Sequence, residues 1–212
     1  MTNYTLKADA VTQIFGRRLI FDNINFEFKS GNVYGLAGHN GSGKSTLAKI
    51  IADIIAPTRG KIIHKLNEEE IASEKLHNHM GFVSPYLVLY DEFSAEENLK
   101  HFAKIRGTEF DTERVNFLFN EFDIYNRRKD LMKGYSSGMK QRIKFIFALL
   151  HSPELLLLDE PTSNLDNEGK DAVYKMIKNV SEKSLVIVAS NEETDLSLCT
   201  EILEIEKFKP NK

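Results

Sequence analysis

The stretch Gly38-His39-Asn40-Gly41-Ser42-Gly43-Lys44-Ser45-Thr46 narrows the folds open to this chain more than any other part of it. It fits the pattern G-x-x-x-x-G-K-[ST], in which glycines let the backbone wrap closely around a small anion. A nearly continuous apolar run, Val33-Tyr34-Gly35-Leu36-Ala37, precedes it, as a strand covered on both faces would read. An apolar helical stretch from Lys44 to about Ile55 follows. Strand, glycine-rich turn and helix in that order aim backbone N–H groups and the positive end of the helix dipole at phosphate oxygens. The alternative is a chance glycine-rich turn, and average composition gives such a match a probability of about one in a hundred in a chain this long. The context favours a phosphate loop. Lys44 is then expected to reach the β- and γ-phosphates and the Ser45 hydroxyl to ligate Mg²⁺, with the remaining residues from Gly38 to Thr46 forming the cradle.

The natural complement is Leu155-Leu156-Leu157-Leu158 followed by Asp159-Glu160. A buried strand in an open parallel sheet presents its C-terminal end to ligands, and here that end carries two acids. Asp159 is expected to hold the Mg²⁺ shell, and Glu160 to orient and deprotonate a water attacking the γ-phosphate. Taken alone the segment reads equally as a core strand ending in a solvated turn; beside a phosphate loop, the adjacent acids favour hydrolysis over passive nucleotide binding. Tyr135-Ser136-Ser137-Gly138-Met139-Lys140-Gln141-Arg142 opens a further helix, and small residues at a helix start make a second anion site. Local residues by themselves favour an ordinary N-cap by Ser136 or Ser137.

Residues 4–28 read as strands punctuated by turns at Gly16 and Asp22-Asn23, with Ile24-Asn25-Phe26-Glu27-Phe28 alternating as a half-buried antiparallel strand does. A short strand is expected over 61–65, a polar loop or short helix over 67–79, and a strand over 81–83. Ser94-Ala95-Glu96-Glu97 matches a capping box, Asp111 can start another helix, and 138–151 and 167–180 read as helices. Apolar runs at 185–189 and 202–205 complete the chain. Strand–helix alternation before 85 and after 150, with helices between, predicts an α/β parallel sheet interrupted by a helical insertion.

Apolar residues make up 42% of the 212-residue chain and charged residues 28%, which excludes disordered and fibrous classes. Lys plus Arg is 28 and Asp plus Glu 31, so 28 − 31 = −3, and no nucleic-acid partner is expected. The lone Cys199 excludes an intrachain disulfide and suits a reducing cytoplasm. Met1 to Lys7 shows no basic segment leading into an apolar one, so no signal peptide is expected, and no apolar run reaches the ~18 residues of a membrane span. His64, His77, His79, His101 and His151 show no metal-site pairing, and His77 and His79 read as exposed loop residues.

With these residues in view the chain resembles the nucleotide-binding subunit of an ATP-binding cassette (ABC) transporter along nearly its whole length. The resemblance rests on the phosphate loop 38–46, the signature-like Tyr135-Ser136-Ser137-Gly138-Met139, the stretch Leu155 to Pro161, and Ser163-Asn164-Leu165-Asp166, which is similar to the family's D-loop. They occur in the family's order, and that order turns 135–139 from a plain cap to a functional segment. The implied fold is a P-loop NTPase (RecA-like) parallel-sheet core, 31–85 and 151–212, with an N-terminal antiparallel β lobe, 1–30, and an inserted α-helical lobe, 86–150. The implied chemistry is ATP hydrolysis with Mg²⁺ in a head-to-tail dimer with a second ABC subunit, identical or different. Ser136, Ser137 and Gly138 of one subunit would close over the γ-phosphate held by the other, with Asp166 nearby. Phe15 matches the family's adenine-stacking aromatic, although an aromatic in a strand is more often core.

The match departs from the family in places that matter. Ser137 and Met139 replace a glycine and the glutamine of the usual Leu-Ser-Gly-Gly-Gln. Pro85 falls where the family has a glutamine that touches Mg²⁺ and water, and proline offers neither a polar side chain nor an N–H. Asn191 stands in place of a histidine that contacts the γ-phosphate; its amide can donate a hydrogen bond but cannot take a charge. Glu160 is expected to keep the site hydrolytic, with slower turnover or more reliance on the dimer partner. The resemblance further implies an integral membrane permease as partner and a cytoplasmic location at the inner face of the membrane; the alternative is a soluble ABC ATPase that remodels a cytosolic complex. Tyr86 to Phe93 fits a partner-binding surface as well as a core turn. Compact length and Ser-Ser-Gly-Met-Lys-Gln-Arg are similar to small bacterial export-type subunits, the haem-exporter group among them. A P-loop kinase would leave the signature and D-loop unexplained.

Overall fold

The computed structural model describes residues 3–209. Residues 1–2 and 210–212, with the outer ends of the expected β lobe and nucleotide-binding core and the start of the segment read against a signal peptide, lie outside the described residues.

Strands β1 (Tyr4–Phe15) and β2 (Arg18–Lys29) form a long antiparallel hairpin. The Asp22-Asn23 pair, expected as a turn, lies inside β2. Thr12 Oγ1 donates to Asp22 Oδ1 at 2.7 Å and accepts from the Asn23 N–H at 3.0 Å, and Asn23 takes a left-handed φ of 53°. The pair therefore makes an irregularity in the register opposite Val11 to Gln13, and the strand continues past it. Strand β3 (Val33–Ala37) leads through the glycine loop into α1 (Lys44–Ile51), which ends earlier than expected: Asp53 turns to φ 57° and the Ile54 N–H folds back onto Lys49 O at 2.9 Å. Strands β4 (Arg59–Leu66) and β5 (Glu69–Glu70), α2 (Ser73–His79) and β6 (Met80–Val83) follow. His77 and His79, expected in a loop, are on α2, and His79 Nδ1 lies 3.2 Å from Glu154 Oε2.

The helical block holds α3 (Ala95–Arg106), α4 (Thr112–Glu121) and α5 (Ser137–Leu149). The capping box forms as the sequence predicts: Ser94 Oγ accepts from the Glu97 N–H at 3.2 Å, and Glu97 Oε2 accepts from the Ser94 N–H at 2.8 Å. Asp111 caps α4 with its side chain alone, Oδ1 accepting from the Arg114 N–H at 2.9 Å. Strand β7 (Leu155–Asp159), α6 (Asn167–Ser181), β8 (Leu185–Ser190), the short α7 (Glu193–Leu196) and β9 (Glu201–Glu204) complete the chain, with a last 3₁₀ turn over Ile205–Phe208.

Among the described residues the strands form two sheets. One is antiparallel, in the order β2-β1-β4-β5; the other is parallel, in the order β6-β7-β8-β3-β9. Strand β4, which lies within the 31–85 stretch, thus pairs with β1, so the antiparallel sheet draws on residues well beyond 30. The leucine run of β7 is explained by burial on both faces. Leu156 and Leu158 pack with the helical side (Ile143, Phe145, Val173), while Leu155 and Leu157 pack with Leu47 and Ile51 of α1 and with the antiparallel sheet. Leu157→Ala is expected to lower the unfolding free energy by about 2–5 kcal/mol, read as a lower urea midpoint at unchanged slope. No helix among the described residues is long and apolar enough to cross a membrane.

Candidate functional site

Sheet register, more than any loop, assembles the site. Ala37 is level with Ser190, Asp159 with Ala189, and Val83 with Leu158, so four parallel strands end along one edge. The next residues on that edge are Gly38, Glu160, Asn191 and Ser84. They come from four distant parts of the chain, and the C-terminal edge of a parallel sheet is where ligands bind.

The glycine loop needs its glycines for reasons the geometry supplies. Gly43 has φ 116°, and a Cβ there would lie 2.7 Å from Ile20 Cγ2, so the β2 wall and the loop backbone touch. Gly43 is also the N-cap of α1 and offers no side-chain cap, and no acid sits in the first turn. The helix start therefore keeps its positive end and its N–H groups available to an anion. Lys44 is buried beneath the loop. Its Nζ donates to Gly38 O at 2.8 Å and lies 3.6 Å from Glu160 Oε1.

Ser45 Oγ donates to Asp159 Oδ1 at 2.9 Å. The second carboxylate oxygen, Asp159 Oδ2, is buried without a hydrogen-bond partner among the described residues. Burial pushes the Asp159 carboxyl above its ordinary range, against the pull of the Ser45 hydroxyl and Lys44. A hydroxyl and a buried carboxylate with an unused oxygen are the hard oxygen donors that Mg²⁺ takes, so the residues fit that ion. Glu160 follows at φ 51°, a left-handed conformation for a non-glycine residue, with its N–H held by Ala189 O at 2.9 Å. Burial raises its carboxyl too; Lys44 draws it down and Asp159 pushes it up. A carboxyl so placed is a stronger base than one in water.

An open cleft of about 660 Å³ collects Phe15, Asn40, Gly41, Gly43, Lys44, Ser45, Thr46, Glu160 and Asn191, together with Pro85 and Tyr86. Phe15, expected as either core or adenine contact, is 50% exposed at the rim. Gly38, His39 and Ser42 do not line the cleft. Gly38 O holds Lys44, Ser42 is fully buried, and the His39 N–H is taken by Glu206 Oε1 at 2.8 Å, where the His39 ring also pairs. Ser136, Ser137, Gly138 and Asp166 do not line this cleft. Ser136 Oγ caps α5 through the Met139 N–H at 3.2 Å, while Ser137 lines a second cleft of about 290 Å³. A Cβ on Gly138 would lie 2.9 Å from Asn164 O, so the signature-like helix start rests directly on 163–166. Asp166 caps α6 through the Gly169 N–H at 2.9 Å and pairs with Arg142 at 3.0 Å.

Two supports escaped sequence reasoning. Asp195 is 1% exposed; its Oδ1 accepts from Thr162 Oγ1 and Tyr174 OH, each at 2.9 Å, and its Oδ2 from Ser190 Oγ at 2.7 Å. One carboxylate thus holds the residue before Asn191 to the segment after Glu160. In sequence it sits in Glu192-Glu193-Thr194-Asp195, which reads as a solvated helix face. Gln141, also buried, donates to Pro161 O at 3.0 Å and ties α5 to the same segment.

Comparison with known proteins agrees with this geometry. The family model described as ABC transporter matches residues 21–163. The chain is 33% identical over 186 residues to the lantibiotic transport ATP-binding protein SrtF of Streptococcus pyogenes, covering 88% of this chain and 79% of that one. It is 30% identical over 205 residues to the linearmycin resistance ATP-binding protein LnrL of Bacillus subtilis, covering 93% and 65%. A solved structure of a putative ABC transporter ATP-binding protein from Pyrococcus furiosus superimposes with a TM-score of 0.83 at 26% identity, over 97% of this chain and 99% of that one. Motif order, strand-edge geometry and these likenesses agree: the chain belongs to the ABC transporter family, as one of its ATP-binding subunits.

Proposed function

We propose that this subunit hydrolyses ATP with Mg²⁺ as one half of a head-to-tail pair and drives a separate membrane permease from the inner face of the membrane. The observation that carries the reading is the contact of Lys44 and Ser45, at a helix start with no acid of its own, with Glu160 and Asp159 at the end of β7. In it, the first-turn N–H groups of α1 and Lys44 bind the β- and γ-phosphates, and Phe15 stacks on the adenine. Ser45 and Asp159 hold Mg²⁺, which when bound offsets phosphate charge. Glu160 orients the attacking water and accepts its proton, and Asn191 donates to the γ-phosphate without adding charge.

The separation of the Ser136–Gly138 segment from the phosphate-loop cleft of its own chain supports a paired arrangement, in which a second subunit, identical or different, supplies that segment. Exposed Tyr86, Val88, Tyr90, Phe93 and Leu131 give the helical side an apolar surface suited to a permease. Two relatives named for lantibiotic transport and linearmycin resistance support a transport role. The test has two arms. The purified chain is expected to release phosphate from ATP with Mg²⁺ and to stop when the ion is chelated. Tagged chain solubilised from membranes in detergent is expected to bring down a hydrophobic partner. Phosphate release without such a partner would favour the soluble remodelling role instead.

A further inference from the structure

The segment Ser84–Tyr86 lies between two helices, and a lysine reaches it from each. From α5, Lys144 Nζ donates to Ser84 O at 3.1 Å and to Pro85 O at 3.0 Å. From α1, Lys49 Nζ sits 4.3 Å from the centre of the Tyr86 ring. The turn is closed internally by the Leu87 N–H on Ser84 O at 3.1 Å and the Tyr86 N–H on Ser84 Oγ at 3.3 Å. Pro85 borders the phosphate-loop cleft together with Lys44 and Glu160, and also borders the second cleft together with Ser137 and Lys144.

Lys144 takes part in no ion pair among the described residues, and burial alone holds its ammonium below the usual lysine range. A half-buried cation is costly to keep, and an apolar residue would pack that face of α5 without the penalty. What the charge gains is two successive carbonyls of a turn whose central residue, Pro85, has no polar side chain to offer.

We propose that Lys144 is a positioning residue for ATP hydrolysis: it locks the Ser84–Pro85 backbone to α5 and so sets the Ser136–Gly138 helix start relative to the phosphate loop. The proposal rests on the ATPase reading above. Lys49 completes the strap from the other side, joining the two helices that begin at the phosphate-contacting segments.

Lys144→Met keeps the stem and removes the charge; Lys144→Arg restores two donors, and Lys144→Gln keeps a single neutral group. Hydrogen exchange across 84–90 in the nucleotide-free chain reads the lock directly, and kcat and ATP affinity read its consequence. In Lys144→Met, exchange over 84–90 is expected to rise about tenfold and kcat to fall about tenfold at unchanged ATP affinity. Lys144→Arg is expected to restore both, with Lys144→Gln between. Unchanged exchange and kcat would overturn the proposal. So would a joint loss of exchange protection throughout α5 and of ATP binding, or failure of Lys144→Arg to rescue. If the wild-type chain hydrolyses no ATP, the ATPase reading falls, and the exchange comparison alone upholds or overturns the lock.

Discussion

Replacing Glu160 with glutamine is expected to lower kcat for ATP hydrolysis by about 10²- to 10⁴-fold while ATP still binds. The substitution conserves volume, and the placement of residue 160 comes from the backbone: φ 51° and the N–H bond to Ala189 O at 2.9 Å do not involve the side chain. The base is lost. The 3.6 Å pair with Lys44 is lost as well, which frees that ammonium for phosphate, so affinity is expected to hold or tighten. Single-turnover phosphate release and equilibrium binding of ATP separate the two effects; equal kcat in the two proteins would remove Glu160 from its role.

The same residue sets an expectation for stability. Glu160 and Asp159 have folded-state pKa values raised by burial. A raised carboxyl binds its proton more tightly when folded, so its contribution to stability is present below the ordinary carboxylate range and is lost as the pH rises through the raised value. Glutamine carries no such charge, so the nucleotide-free Glu160→Gln chain is expected to lose less stability across that window, measured as the change in thermal midpoint with pH.

Lys44→Met is the second large effect, and it falls on binding. The ammonium lies beneath the loop, nearly out of solvent, already held by Gly38 O at 2.8 Å. It is therefore preorganised where phosphate oxygens would arrive, and a charged hydrogen bond of this kind is worth about 1.5–3 kcal/mol. ATP affinity is expected to fall by about 10- to 150-fold, measured by calorimetry on the nucleotide-free protein. Methionine fills the same channel but leaves Glu160 and Asp159 without their nearby cation, so some loss of stability is expected as well. The double variant Lys44→Met, Glu160→Gln isolates that part: it is expected to recover stability but not affinity. Recovery of affinity would mean that Lys44 serves only to neutralise the acids.

Sequence by itself determined the pieces whose chemistry is local. The phosphate loop, the acids after the leucine run, the capping box at Ser94 and the N-cap at Asp111 depend on residues within a few positions of one another, and periodicity or spacing reports them. What Pro85 and Asn191 can offer is legible too, because residue type alone says what a proline cannot donate and an asparagine cannot carry. Tertiary structure decided everything that depends on register and long-range pairing. Asp22-Asn23 reads locally as a turn, but Thr12 across the hairpin absorbs it into β2. Strand β4 joins the antiparallel sheet because its partner is β1, with Tyr4 opposite Leu66 and Thr12 opposite Arg59. Asp195 looks solvated in an acidic run and is instead the buried acceptor of Ser190, Thr162 and Tyr174. Lys144 looks like an ordinary helix-surface cation and is committed to the carbonyls of Ser84 and Pro85. A backbone carbonyl leaves no mark on residue type, so contacts made to it across the fold become visible only once the chain has closed on itself.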